Sequence, residues 1–157
     1  MSTLPSSALL IYFKDYENYH QTRGNKLTHT VGIPFVLFSL LGLLSHVVLW
    51  SPLSNELFKV DLGLILFIFG AIFSIRVDYK LGIPFTLYAY FNYLLARHVP
   101  LGALIGIQIV GWILQFWGHL VYEKKSPAFM TSLEPVFIGP MWIFAWFIGY
   151  YQSTSQP

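Results

Sequence analysis

The feature that most constrains this chain is a series of long apolar stretches with few formal charges. Residues 31–50 contain no Lys, Arg, Asp or Glu, and four later stretches contain at most two such residues each. A helix that crosses the hydrocarbon core of a bilayer needs about 20 mostly apolar residues, within a range of roughly 17 to 25. We therefore expect about five transmembrane helices, near residues 31–50, 60–77, 81–96, 101–122 and 135–151.

The composition excludes several classes of protein. Only 10% of the 157 residues are charged and 55% are hydrophobic, whereas a soluble domain carries about 25% charged residues. Disorder requires low hydrophobicity, and a net charge of +2 is too small to indicate a nucleic-acid partner. The absence of cysteine excludes disulfides and thiolate ligands. The sequence therefore predicts an all-α integral membrane protein that forms a single domain over residues 1–157.

Residues 6–22 have a different pattern from the apolar stretches. Leu9, Phe13 and Tyr16 alternate there with charged residues such as Lys14 and Asp15, which is typical of an amphipathic helix that lies at a membrane interface. A Gly-Asn pair follows at residues 24–25 and indicates a turn. We expect an interfacial helix over residues 6–22, a turn at residues 22–25, and then the first membrane span.

The basic residues predict the orientation of the chain in the membrane. With five spans they divide seven to two, and cytoplasmic loops carry the excess of Lys and Arg. The predicted cytoplasmic set is Lys14, Arg23, Lys26, Arg76, Lys80, Lys124 and Lys125, against Lys59 and Arg97 on the other side. We expect a cytoplasmic N-terminus and a polar tail, residues 152–157, on the far side. The membrane would be the inner membrane of a bacterium or the endoplasmic reticulum of a eukaryote.

The same topology sorts the five histidines into two groups. His20, His29 and His119 fall near the cytoplasmic ends of their segments, whereas His46 and His98 fall near the opposite face. A span of this length separates the groups by roughly 20 to 30 Å at 1.5 Å per residue. Three histidines can therefore converge at one depth in the membrane, if the turn after the interfacial helix lets the first of them fold back onto the second.

A polar stripe on the fourth span adds an acidic residue to this group. Gln108, Gln115, His119 and Glu123 are separated by seven, four and four residues, which places them on one face of an α-helix. Residues four apart on a helix can ligate one metal ion. The candidate metal-ligating and catalytic residues are therefore His20, His29, His119 and Glu123. Such a set suits mononuclear non-haem iron or zinc.

Less specific interpretations remain open for each of these residues. An interfacial histidine can simply contact lipid headgroups, and an intramembrane glutamine commonly forms a hydrogen bond between helices. Lys124 and Lys125 follow the fourth span, where basic residues ordinarily anchor a helix to the cytoplasmic surface. Asn25, four residues before His29, could cap the first span or hydrogen-bond a ligand.

Three motifs resemble a known family. Residues 19–29 read Tyr-His-Gln-Thr-Arg-Gly-Asn-Lys-Leu-Thr-His, and residues 111–128 contain Gly-Trp, Gln-Phe, Gly-His, Glu-Lys and Pro-Ala in that order. Together with Ile-Gly-Pro-Met-Trp at residues 138–142, they resemble the signatures of the 2-hydroxy fatty acid dioxygenase family. This resemblance implies an iron(II)-dependent α-oxidation that converts a 2-hydroxy long-chain acid into the acid one carbon shorter. The family's histidines fall on His20, His29 and His119, and its glutamate on Glu123.

Three hypotheses follow from the sequence. The leading one is a membrane-embedded iron(II) dioxygenase whose substrates are a 2-hydroxy fatty acid and O2, with membrane lipid around it. The alternatives are a zinc-dependent membrane lipid hydrolase, which would hold zinc, and a non-catalytic lipid-binding protein, which would hold no stoichiometric metal. Residues that could contact or attract the substrate are Asn25, Arg23, Gln115, Lys124 and Lys125.

Overall fold

The computed structural model describes residues 5–52, 59–127 and 134–151, and most of these residues are helical. The helices are α1 (Ser7–Asn18), α2 (Arg23–Ser45), α3 (Leu62–Val77), α4 (Tyr79–Ala96), α5 (Leu101–Trp117), a π-helix (Gly118–Glu123) and α6 (Glu134–Phe147). Two short antiparallel strands, β1 (Val48–Trp50) and β2 (Val60–Asp61), precede α3. The predicted helical fold is confirmed, with this small strand pair as its one addition among the described residues.

The boundary between the first two helices differs from the prediction. α1 ends at Asn18 and α2 already begins at Arg23, so Gly24 and Asn25 are helical and the turn lies earlier, at residues 19–22. The reason is the cap: the Thr22 side chain accepts a hydrogen bond from the Asn25 backbone N–H, at 3.4 Å. Threonine is a preferred N-cap residue. The proposed capping role of Asn25 is therefore wrong.

Two helical segments are long and apolar enough to cross a membrane. These are Arg23–Ser45 and Leu101–Glu123, which combines α5 with the π-helix. Each has 23 residues, or about 35 Å at 1.5 Å per residue. The described parts of the chain do not support five spans, because α3 and α6 have only 16 and 14 residues. Helices of that length rise about 24 and 21 Å, less than the hydrocarbon core. The predicted tail, residues 152–157, lies outside the described residues.

The first helix is amphipathic, as predicted. Leu9, Phe13 and Tyr16 are buried in the main apolar core, together with residues of α4 and α6, while Lys14 and Asp15 are exposed. The start of α1 is attached to the joint between α3 and α4, where the Ser6 backbone N–H donates to the Asp78 carboxylate. Burial raises the pKa of the Asp78 carboxyl, but the hydrogen bonds from the Ser6 N–H and from other backbone donors outweigh burial. They hold that pKa below its ordinary value.

Glycines let α2 and α5 pack backbone against backbone. A Cβ atom on Gly32 would lie 3.1 Å from the carbonyl oxygen of Gly111, and one on Gly111 would lie 3.2 Å from the carbonyl oxygen of Gly32. Contact of this kind between small residues is typical of helices that pack in membranes. It places the first turns of α2 beside the end of α5, where the candidate histidines lie.

The outer surface of the helices is apolar. Large hydrophobic side chains are exposed on every helix from α2 to α6. Examples on α5 alone are Leu101, Ile105, Ile109, Val110, Ile113, Phe116 and Trp117. Soluble proteins rarely expose contiguous apolar patches of this extent, so the surface is suited to lipid or to a partner.

Candidate metal centre

His20 follows the end of α1 and is fixed by a tyrosine one helical turn before it. Its Nδ1–H donates to the Tyr16 carbonyl oxygen at 2.6 Å, and the Tyr16 ring stacks on the imidazole with centroids 3.9 Å apart. A carbonyl oxygen can only accept, so Nδ1 carries the hydrogen and Nε2 presents its lone pair. Burial lowers the pKa of His20 to about 3. The imidazole is therefore neutral at pH 7, which is the form that binds metals.

His29 has the same arrangement on the second turn of α2. Its Nδ1–H donates to the Asn25 carbonyl oxygen at 3.0 Å, which leaves the lone pair on Nε2. The Asn25 side chain is directed elsewhere, and its amide donates to the Tyr19 carbonyl oxygen at 3.4 Å. Histidine ligands of metals commonly donate their other ring N–H to a backbone carbonyl, which orients the ring. Asn25 therefore acts on this site through its backbone.

His119 completes the group from the π-helix. The exposed fractions of His20, His29 and His119 are 2%, 1% and 2%, and their candidate ligand atoms all lie within 4.8 Å of one another. The Nε2 atoms of His29 and His119 are 3.1 Å apart. Two nitrogens bound to one ion at about 2.1 Å, at tetrahedral or octahedral angles, lie roughly 3.0 to 3.4 Å apart. The spacing therefore fits two ligands of a single ion.

The polar atoms in this cluster are not all satisfied by protein groups. His20 Nε2 and His119 Nδ1 are buried without a hydrogen-bond partner among the described residues. Leaving such an atom unpaired costs about 1–3 kcal/mol, and an ion bound to the His20 lone pair would remove one of the two penalties. The three residues therefore fit a metal ion. Imidazole ligands suit zinc, copper, iron and nickel, so the ligand set alone does not select among them.

Glu123 is placed differently from the three histidines. Its Oε1 accepts hydrogen bonds from the backbone N–H of Thr22 at 2.7 Å and from the Thr22 hydroxyl at 2.9 Å. The predicted i, i+4 face assumes an α-helix, but residues 118–123 form a π-helix, whose hydrogen bonds span five residues. The changed periodicity directs Glu123 to the residue that caps α2. The group of convergent ligands in the described residues contains the three histidines and not Glu123.

An apolar cavity of about 180 Å³ begins at the histidines. Its wall includes Tyr16, the three histidines and Gln115, and most of its other lining residues are apolar side chains of α2, α3, α4 and α6. Gln115 is 7% exposed, and its Nε2 has no hydrogen-bond partner in the described parts of the chain. The cavity therefore combines a polar end with an apolar body.

The other residues predicted to take part lie away from this cavity. Arg23, Lys124 and Lys125 are exposed and do not belong to the described lining, so a direct contact with bound substrate is not supported. Gln108 does not extend the polar stripe into the site, because its Oε1 accepts a hydrogen bond from Ser39 at 2.6 Å. His46 and His98, which the topology set apart, are likewise exposed and outside the cluster.

Three residues that shape the site were missed in the sequence. Tyr16 orients His20, Thr22 binds Glu123, and Gly118 lets the π-helix approach His29. A Cβ on Gly118 would lie 2.4 Å from Thr28 Oγ1 and 2.8 Å from His29 Cε1. The spacing of four residues between Tyr16 and His20 was a usable signal, whereas the contacts of Thr22 and Gly118 join segments far apart in the chain.

Comparison with known proteins gives this site a family context. The sequence model of the family described as "2-hydroxy-palmitic acid dioxygenase Mpo1-like" matches residues 7–151. The chain belongs to this family. It is 28% identical over 132 residues to the 2-hydroxy-palmitic acid dioxygenase of Saccharomyces cerevisiae, and the match covers 82% of this chain and 72% of the yeast protein. No solved structure matches the chain.

The family assignment covers all parts of the histidine cluster. The matched range, residues 7–151, begins with α1 and extends past α6. The two longer motifs that carry the resemblance meet at the cluster, the first at the start of α2 and the second at the π-helix. Ala128, at the end of the second motif, lies outside the described residues. In this chain, the segments that resemble the family most are therefore those that the fold brings together.

The contact between Glu123 and Thr22 gives a graded prediction. Replacing Glu123 with glutamine keeps one neutral oxygen acceptor but removes the charge that strengthens both hydrogen bonds. Because those bonds join the π-helix to the start of α2, we expect metal affinity to fall about 10- to 100-fold, the range for residues that orient ligands. Metal titration of the purified variant measures this. Asp15→Asn, an exposed acidic residue on α1, is the matched control, and complete loss of metal would instead indicate that Glu123 is itself a ligand.

Proposed function

We propose that this protein is an iron(II)-dependent dioxygenase that performs α-oxidation of 2-hydroxy long-chain fatty acids. The observation that carries the proposal is the cluster of His20, His29 and His119 at the polar end of an apolar cavity. Membership of the 2-hydroxy-palmitic acid dioxygenase family supports the same reaction and substrate class. With one O2 as the oxidant, the C1–C2 bond breaks and the products are the acid one carbon shorter, CO2 and water.

The three histidines are the residues that would hold the metal. Fe(II) bound by histidines with open coordination positions supplies the chemistry of non-haem oxygenases, which is the activation of O2. The protein's part is to keep the imidazoles neutral and oriented. Burial keeps the His20 imidazole neutral, and the carbonyl oxygens of Tyr16 and Asn25 orient His20 and His29. Glu123 contributes by holding the π-helix against Thr22.

The shape and polarity of the cavity support a fatty acid as the substrate. The apolar lining of the cavity body is suited to an acyl chain, and the carboxylate and 2-hydroxyl then lie at the histidine end. The side-chain amide of Gln115, whose Nε2 has no hydrogen-bond partner among the described residues, is available there to donate to one of these oxygens. Binding of this kind fixes the C1–C2 bond next to the histidines, and fixed geometry supplies a large part of a rate enhancement. The apolar wall excludes water from the reacting end.

We further propose that the protein is embedded in a membrane, with the histidine cluster on the cytoplasmic side. The two segments of 23 residues that are long and apolar enough to span a bilayer, and the apolar outer surface, support embedding. The basic residues support the orientation. Seven of the nine fall at the same ends of the predicted segments as the three histidines, and cytoplasmic ends carry the excess of Lys and Arg. An acyl chain can then reach the cavity from the surrounding lipid.

The proposed reaction makes a clear prediction about the 2-hydroxyl group. Iron-loaded protein in detergent should consume O2 when given 2-hydroxypalmitate and should show no detectable consumption with palmitate. The hydroxyl is one of only two polar groups that can hold the acid at the histidine end. Without it the C1–C2 bond is not fixed beside the histidines, so palmitate can bind through its acyl chain without reacting. An oxygen electrode and mass spectrometry of the shortened acid provide the measurements.

Three outcomes would contradict this assignment in different ways. Equal oxygen consumption with both acids would show that the 2-hydroxyl is not recognised. Stoichiometric zinc in the purified protein, with hydrolysis of a lipid ester and no oxygen consumption, would favour a zinc-dependent membrane hydrolase. Absence of any bound metal after iron loading would favour a lipid-binding protein without catalytic activity.

A further inference from the structure

We propose that the apolar cavity is closed at the end away from the histidines and that this closed end limits the length of the acyl chain. We define the far end of the cavity by Leu41, Phe67 and Ala89. The inference rests on the proposed function for the identity of the ligand, a straight-chain fatty acid, but its geometry is independent of the reaction. It assigns chain-length specificity to particular residues.

The cavity follows the second helix for about three turns. Its lining residues on α2 begin at His29, continue through Ile33 and Leu37, and end at Leu41. The twelve steps from residue 29 to residue 41 correspond to about 18 Å along the helix axis at 1.5 Å per residue. Polar ligand groups are concentrated at the His29 end, whereas Leu41, Phe67 and Ala89 are apolar. A fatty acid can therefore bind in only one direction, with its carboxylate toward the histidines and its methyl end toward Leu41.

The helices close together immediately beyond Leu41. A Cβ atom on Gly63 of α3 would lie 2.5 Å from the Leu41 carbonyl oxygen and 3.0 Å from the Ser45 backbone nitrogen. A Cβ on Gly42 of α2 would lie 2.6 Å from Leu104 Cδ2 on α5. Because even a methyl group has no room at these two positions, a hydrocarbon chain cannot pass between α2 and α3 or between α2 and α5 there. We call Gly42, Gly63 and Leu104 the floor of the cavity.

A buried polar group stabilises this floor. Asp61 is fully buried and accepts hydrogen bonds from the Tyr93 hydroxyl at 2.8 Å and from the Leu64 backbone N–H at 2.8 Å, while Arg97 Nε lies 4.0 Å from its carboxylate. Removing one partner of a buried charge is strongly destabilising, so these bonds hold α3 and α4 together. The floor is therefore a fixed part of the fold and not a second entrance.

The far end of the cavity lies directly over this polar group. The ring of Phe67 is stacked on that of Tyr93 with centroids 6.3 Å apart, and Ala89 is one helical turn before Tyr93 on α4. Ala89 is the smallest of the three side chains at the far end, so enlarging it shortens the cavity. Leu41 is larger, so replacing it with alanine lengthens the cavity by up to the volume of the lost side chain.

The test compares chain-length profiles of variants. We expect Ala89→Leu to bind palmitate about 10- to 200-fold more weakly while acids several carbons shorter bind as before, because one methylene too many in a closed apolar pocket has an effect of this size. Leu41→Ala should shift the preference toward longer acids. Ala103→Leu is the matched control, since Ala103 is exposed on α5 and lies outside the described lining.

Binding is measured by displacement of a fluorescent fatty acid from detergent-purified protein, using saturated acids without a hydroxyl group. This readout needs no turnover, so failure of the dioxygenase assignment leaves it interpretable. An unchanged profile in both Ala89→Leu and Leu41→Ala, with the probe still bound, would overturn the proposal. No binding of any fatty acid to wild-type protein would also overturn it. If Ala89→Leu does not fold, the shift expected for Leu41→Ala decides the question by itself.

Discussion

Replacing any one of His20, His29 and His119 with alanine should abolish metal retention and activity while leaving the folded protein recoverable. Each residue contributes one ligand atom to a group whose members lie within 4.8 Å, and ligands must lie about 2.0–2.2 Å from the ion. Two remaining imidazoles cannot replace the third, because the surrounding wall of the cavity is mostly apolar. Elemental analysis of the purified variants, together with oxygen consumption, measures both effects.

The other two histidines are the controls for this prediction. His46→Ala and His98→Ala should retain metal and activity, because both residues are exposed and lie outside the cluster. Circular dichroism of every variant separates loss of metal from loss of fold. If His98→Ala proves as damaging as His119→Ala while the helices remain intact, the metal centre is not the one formed by His20, His29 and His119.

A second large effect is expected from a single methyl group at Gly118. In Gly118→Ala the new Cβ would start 2.8 Å from His29 Cε1, whereas ordinary contacts begin at 3.4 Å. His29 would therefore have to move by about 0.6 Å, beyond the roughly 0.5 Å within which a site must be held. We expect activity to fall about 100-fold and stability to decrease by about 1–3 kcal/mol from overpacking.

The matched control lies on the helix that leads to the site. Gly106 on α5 has nothing within 4 Å of its ideal Cβ, so Gly106→Ala should be neutral or slightly stabilising, as expected for alanine in place of a helical glycine. Metal titration and thermal unfolding of both variants provide the comparison. Wild-type metal affinity in Gly118→Ala would show that the position of His29 is not limited by the π-helix.

The sequence alone indicated an apolar, mostly helical protein and the three histidines that the structure brings together. Long uncharged stretches predict apolar helices, because backbone polar groups removed from water must be paired within the segment. His20, His29 and His119 fall near the same ends of those segments, and this follows from counting residues along helices of known rise. The motifs around them were sufficient to indicate the family, and the match over residues 7–151 confirms it.

Only the tertiary structure decided how these residues meet. The turn between α1 and α2 depends on capping by Thr22, and Thr22 is in turn bound by Glu123, 101 residues away. The π-helix changes the periodicity from which Glu123 was predicted to be a ligand. Contacts between segments distant in the chain depend on packing of whole helices, such as that at Gly32 and Gly111, and local patterns carry no information about such packing. The described residues do not support five spans for a related reason. Hydropathy identifies apolar stretches, but the residues at which each helix begins and ends depend on its caps.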